Sequence, residues 1–169
     1  WYQAREAATA AATYINLHRA AERPEADLAA AANGFAALGR ESPAGYQVLA
    51  RLRAAALKAE TGDAAAAQAL WDQVANDTSA DRLYRDLATL LAVSQGVDAG
   101  DPTQLAARIA PLTTADNPWR ASAREVQALI ALRRGANAEA RRMFEALAAD
   151  GTTPAGLRER AQRLAAGLR

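Results

Sequence analysis

Gly62-Asp63-Ala64-Ala65-Ala66-Ala67-Gln68-Ala69-Leu70-Trp71-Asp72-Gln73-Val74 returns later in the chain as Gly135-Ala136-Asn137-Ala138-Glu139-Ala140-Arg141-Arg142-Met143-Phe144-Glu145-Ala146-Leu147. Both stretches read glycine, alanine five residues on, an aromatic four beyond that, and an aliphatic three beyond the aromatic. Spacings of three and four place the last three on one face of a helix. The glycine permits a tight turn into that helix, the alanine lets a neighbouring backbone come close, and the aromatic fills the space one turn later. Weaker copies occur at Ala31, Phe35 and Leu38, and at Leu105, Ile109 and Leu112. The bulky anchors Phe35, Trp71, Ile109 and Phe144 are therefore 36, 38 and 35 residues apart. That interval suits a repeat of one helix-turn-helix unit of about 34 residues.

Working outward, four prolines follow short polar residues, at Ser42-Pro43, Asp101-Pro102, Asn117-Pro118 and Thr153-Pro154, and read as helix starts. Gly39, Thr61-Gly62-Asp63, Gly96 to Gly100, Gly135 and Gly151 read as stops or reversals. Period-two alternation is not sustained, and Val, Ile and Thr are too sparse for a sheet. The expected segments are helical throughout: pairs over 4–38, 43–76, 79–112 and 118–149, then a C-terminal helix over 154–168. Individual helices are expected from Pro24, Ser79 and Pro102 among others, with the last of these reaching Ala110.

The chain has 169 residues, the size of one domain or one repeat array, and 1–169 is read as a single domain. Hydrophobic residues make up 51%, but 49 of them are alanine, so any core is thin. A hairpin this rich in alanine buries too little alone and needs its neighbours. With 20 basic and 19 acidic residues there is no bulk attraction for nucleic acid, and none is expected as a partner. The absence of cysteine excludes disulfides, thiolate metal sites and thiol catalysis. No window spans a bilayer or has the layout of a signal peptide. The chain starts at Trp1, not at methionine, and Met143 is its one methionine, so the expectation is that residues precede it, conceivably an anchor.

No catalytic, cofactor-binding or metal-binding residue is expected. His18 is the one histidine, without partners at ligand spacing, and reads as a packed or surface side chain. No G-x-S-x-G surrounds any serine, and Gly96 and Gly100 lack the Lys-Ser or Lys-Thr of a phosphate loop. Glu22, Glu25 and Asp27 read as a solvated helix entrance, and Asp98 with Asp101 as too few groups for calcium.

Charge is uneven. Residues 60–118 carry 9 acids against 3 bases, and residues 119–169 carry 5 acids against 10 arginines. Arg134, Arg141 and Arg142, beside Arg133, form a candidate basic surface for an acidic peptide, since guanidinium groups fork onto carboxylates. The same arginines can equally pair with Glu139 and Glu145 on solvated faces.

The stretches around Gly62 and Gly135 resemble the tetratricopeptide repeat. In the first helix of each pair Arg51 and Arg124 stand where that family has an aromatic, and Ala55 and Ala128 where it has glycine. The order of features is similar to the tetratricopeptide-like domain of the ancillary SecYEG translocon subunit family: Trp1-Tyr2 opening the first helix, Phe35-Ala36-Ala37-Leu38, Gly45 to Arg53, and an arginine-rich terminal pair. The resemblance implies an all-α, right-handed superhelix of antiparallel helix pairs, eight to nine helices in all. It further implies a non-enzymatic adaptor on the periplasmic side of a bacterial inner membrane, tethered by a segment outside this chain. Its partners would be Sec translocon subunits and periplasmic chaperones, with no cofactor. Trp1 and Tyr2 would suit a membrane interface, although packing on the first helices is the stronger reading. The first helix of each pair would line a concave face, which makes Leu49, Leu52, Ala56 and Glu60, and Ser122, Glu125, Leu129 and Arg133, the candidate groove. Three other readings remain: a repeat lipoprotein of outer-membrane assembly, marked by a lipidated cysteine upstream; the helical part of a cell-wall-cleaving enzyme; and a cytosolic adaptor, if the full chain has no export or anchor segment. The oligomeric state is undetermined.

Overall fold

A computed structural model describes residues 2–168, and among them every regular element is a helix. The order is α1 (Tyr2–Ala21), α2 (Leu28–Glu41), α3 (Ala44–Glu60), α4 (Ala64–Asn76), α5 (Arg82–Gly96) and α6 (Pro102–Ile109). A 3₁₀ turn (Ala110–Thr113) follows, then α7 (Arg120–Arg133), α8 (Asn137–Ala149) and α9 (Ala155–Gly167). The chain divides into two compact units, the first ending at Ala88 and the second starting at Thr89, inside α5.

In the first unit α1 packs on α2, α2 on α3 and α3 on α4. Phe35 is fully buried among Ala31, Ala32, Leu38, Ala50, Ala54 and Leu57, with Tyr14 and Leu17 of α1 closing the side. The Tyr14 ring meets Phe35 edge-on, with centroids 5.1 Å apart, a favoured aromatic arrangement. Trp71 and Val74 are buried on α4. In the second unit Ile109 and Leu112 pack with Leu90 and Val93 against Ala123, Val126 and Ile130 of α7. Phe144, Ala140 and Leu147 of α8 lie with Ala128 and Ala131 of α7 and Leu157 and Ala161 of α9. All four bulky anchors expected from the repeat are thus buried.

The turns at Gly62 and Gly135 are built alike. Both glycines have positive φ, 85° and 77°. Asp63 N–H donates to the Lys58 carbonyl at 2.8 Å and Gly62 N–H to the Ala59 carbonyl at 3.1 Å. Ala136 N–H and Gly135 N–H repeat these bonds to Ala131 and Leu132 at 3.0 and 2.9 Å. This is the paired closure that satisfies the last carbonyls of a helix when a residue without Cβ turns left-handed.

Several expected boundaries differ. Gly39 does not end α2 but lies buried within it, because a Cβ there would sit 2.8 Å from Arg51 Cγ; the glycine admits α3 instead of stopping the chain. The second helix starts at Leu28 and not Pro24, since the Asp27 carboxylate accepts from Ala30 N–H at 2.9 Å and fixes the first turn there. Only Asp101-Pro102 has the expected geometry, with Asp101 accepting from Thr103 and Gln104 N–H and proline at the first helical position. At Pro43 and Pro154 the proline is itself the residue before the helix, in an extended conformation. Asn117 accepts from Trp119 N–H in a turn that delays α7 to Arg120. α5 starts at Arg82, after an Asp81 side chain that accepts from Leu83 N–H, and α6 ends at Ile109 where the 3₁₀ turn takes over.

Phe144→Ala should lower the unfolding free energy by about 3–5 kcal/mol, the usual cost of emptying a buried aromatic site. Chemical denaturation of the purified domain measures it, and unchanged stability would remove Phe144 from the core.

Candidate functional site

The candidate groove residues fall on two helices in two units. On α3, Leu49 is 36% exposed, Leu52 and Ala56 are half-buried, and Glu60 is exposed. On α7, Ser122 is half-buried, while the other three are engaged within the second unit. Arg160 of α9 forks onto Glu125: its Nε donates to Oε1, and one terminal nitrogen donates to Oε2 at 2.7 Å. That bond raises the Arg160 pKa above its ordinary value. Leu129 packs against the Phe144 cluster. Arg133 donates to the carbonyls of Val97 and Gly100 at 2.5 and 2.8 Å, closing the glycine-containing turn before α6.

The candidate basic surface is similarly divided. Arg141 pairs with Glu145 at 2.8 Å, the solvated pairing that a four-residue spacing on one helix allows, and Arg134 pairs with Glu139 at 3.3 Å across the Gly135 turn. Arg142 is exposed. Among the other singled-out residues, His18 stacks on Tyr14 and lies 3.1 Å from Glu22 at the end of α1. Of the three acids near Pro24, Asp27 is the one that caps α2. Tyr2 is 70% exposed; Trp1 lies outside the described residues. Among the described residues no group of three or more His, Cys, Asp or Glu side chains is placed to hold a metal, and no helix is long and apolar enough to cross a membrane.

Large aliphatic side chains remain exposed on α1, α3 and α5: Ile15 at 47%, Leu49, and Leu83 at 41%. Beneath the start of α1, a groove of about 1040 Å³ is lined by Tyr2, Glu6, Ala10 and Thr13 on one side and Gly34 and Leu38 on the other.

The sequence reading passed over a clamp that occurs once in each unit. Arg51 and Arg124, in the place of the repeat's aromatic, reach Asp77 at 3.7 Å and Asp150 at 3.4 Å, just beyond the next helix. Asp77 Oδ1 accepts from the Ser79 hydroxyl at 2.6 Å and its N–H at 3.0 Å. Asp150 Oδ1 accepts from the Thr152 hydroxyl and N–H at 2.6 and 2.9 Å. These bonds, first those from Ser79 or Thr152 and then the facing guanidiniums, hold both carboxyls below the usual carboxylate range. The signal was present as a recurrence of arginine, aspartate and Ser/Thr at 73 residues: 51 and 124, 77 and 150, 79 and 152.

A model of the tetratricopeptide repeat-like domain matches residues 1–163. The chain belongs to the tetratricopeptide repeat-like family. Comparison with curated proteins and with solved structures yields no significant match. As a tetratricopeptide repeat-like chain it has the helix pairs, glycine turns and small-residue contacts of the repeat, with an arginine–aspartate clamp in the place of an aromatic.

Carboxyls held low in the folded state stabilise it above the ordinary carboxylate range, and that stabilisation disappears as pH falls through the lowered value. Asp77→Asn with Asp150→Asn should therefore flatten the acid limb: the thermal midpoint of the double variant should fall less between neutral and strongly acid pH than that of the parent. Parallel curves would show that neither carboxyl is protected.

Proposed function

We propose that this tetratricopeptide repeat-like chain docks other proteins without chemistry of its own, as the periplasmic part of an inner-membrane-anchored adaptor beside the Sec translocon and periplasmic chaperones. Membership in a repeat family of interaction scaffolds supports the docking role. The Sec and periplasmic assignments rest on the resemblance of the residue order to the ancillary translocon subunits. The observation that carries the reading is the exposure of Leu49 on α3 and Leu83 on α5, together with that of Ile15 on α1. In a chain with so few large apolar side chains, exposing three on the helices expected to open successive pairs favours contact with a partner's apolar side chains.

Photo-crosslinking amino acids placed at Leu49 and Leu83 in the full-length protein, in its native envelope, should yield discrete adducts containing a Sec subunit or a periplasmic chaperone. Glu145 and Ala138, exposed on the second helix of a pair, should not. Adducts from the second-helix positions alone would overturn the choice of face, and adducts with cytosolic proteins only would overturn the location.

A further inference from the structure

The two clamps differ at one position, and the difference leaves a charge over. In the first unit Gln47 donates to the Ser42 carbonyl at 2.6 Å, and Arg51 donates to the Gln47 side-chain oxygen at 3.4 Å while facing Asp77. In the second unit the residue 73 positions on from Gln47 is Arg120, which donates to the Ala115 carbonyl at 3.1 Å, the counterpart of Ser42. The neutral amide thus fills the structural role that the guanidinium fills in the second copy. Arg120 also reaches the Thr152 hydroxyl, and lies 3.6 Å from the same Asp150 oxygen that Arg124 approaches at 3.4 Å. One carboxylate therefore faces two guanidiniums where the first unit sets one against one.

Exposure singles out Arg124. The side chains of Arg51 and Arg120 are 19% and 24% exposed, whereas that of Arg124 is 41% exposed and has Asp150 as its one partner among the described residues. Its Nε and second terminal nitrogen are left as donors in the planar fork that matches a carboxylate. Of the four arginines expected to attract an acidic segment, Arg133 is spent on backbone carbonyls and Arg134 and Arg141 on glutamates, while Arg142 is exposed elsewhere on α8.

We infer that Arg120 and Arg124, sharing Asp150 at the mouth of the α8–α9 turn, form a docking point for a side-chain carboxylate of an acidic peptide segment in a partner protein. The inference rests on the docking role proposed above and names one of its chemical contacts. Asp150 Oδ2 is the internal occupant, and the incoming carboxylate takes the unfilled donors beside it. Since Asp150 Oδ1 remains tied to Thr152, the turn itself does not open.

The test uses the purified domain and a tetraglutamate peptide blocked at both ends, so that all its carboxylates are side chains. Titration followed by NMR should shift the Arg120 and Arg124 Nε–H signals together with the Thr152 amide, and leave Arg51 in place. Arg120→Gln, which installs the residue that the first unit already uses, and Arg124→Gln should each weaken binding several-fold. Arg142→Gln, removing an exposed charge elsewhere on α8, should change it little. Asp150→Asn keeps an acceptor for Thr152 but frees both guanidiniums, and should tighten binding more than Glu159→Gln, which alters net charge equally. Equal losses in Arg120→Gln and Arg142→Gln, equal gains in Asp150→Asn and Glu159→Gln, or a tighter response to inorganic phosphate at the same signals would each overturn the assignment. The Leu49 and Leu83 crosslinks decide the docking role separately, because both positions lie in the other unit.

Discussion

Close approach of alanine-faced helices is the constraint on which the rest of this structure depends. With 49 alanines in 169 residues, the chain cannot fill wide gaps between helices. It must bring backbones together and place a few bulky groups where the faces diverge. Ala54 and Ala55 on α3, Ala128 and Ala131 on α7, and Ala67 and Ala140 on the returning helices are essentially inaccessible to solvent. Phe35 and Phe144, both fully buried, sit among them. The left-handed glycines at 62 and 135 follow from the same requirement, because helices that pack so closely leave room for only the tightest reversal.

The same constraint explains why arginine stands in the aromatic's place. In the first unit Gly39 leaves room for the alkyl stem of Arg51 directly against α2, and the charged head continues to Asp77. A long stem packs as hydrocarbon while its head remains hydrated or paired. In the α3–α4 and α7–α8 pairs alike, the first helix is thereby tied to the loop beyond the second, through an aspartate whose other oxygen shapes that loop with Ser79 or Thr152. Because the tie is polar and partly open, a small change of residue type, Gln47 in one unit and Arg120 in the other, turns a closed structural contact into one with charge to spare.

Much of this was legible in the residues themselves. The Gly–Ala–aromatic–aliphatic recurrence identified the hairpin turns and all four buried anchors, because spacing along a helix maps directly onto a face. Gly39 was misread because a glycine admitting a neighbouring helix and a glycine ending its own look alike until the neighbour's position is known. Pro24 was misread because proline marks a turn without saying how many residues pass before a carboxylate such as Asp27 caps the next helix. The roles of Glu125, Arg133 and Arg160 depend on contacts between residues 33 to 36 positions apart, which local patterning does not encode. The clamp was different in kind: its residues recur at a fixed interval, but arginine and aspartate are common on solvated faces, so the recurrence carried meaning only once the side chains were seen to meet.

Native-state hydrogen exchange over the whole chain tests the central claim most directly, since amides exchange slowest where opening requires the packed unit to come apart. The account predicts two separate maxima of protection, one on α2 and α3 around Phe35, Ala54 and Leu57, the other on α7 and α8 around Ala128, Ala131 and Phe144. Maximal protection on α1 or α6 instead, or uniformly weak protection at the alanine contacts, would contradict it.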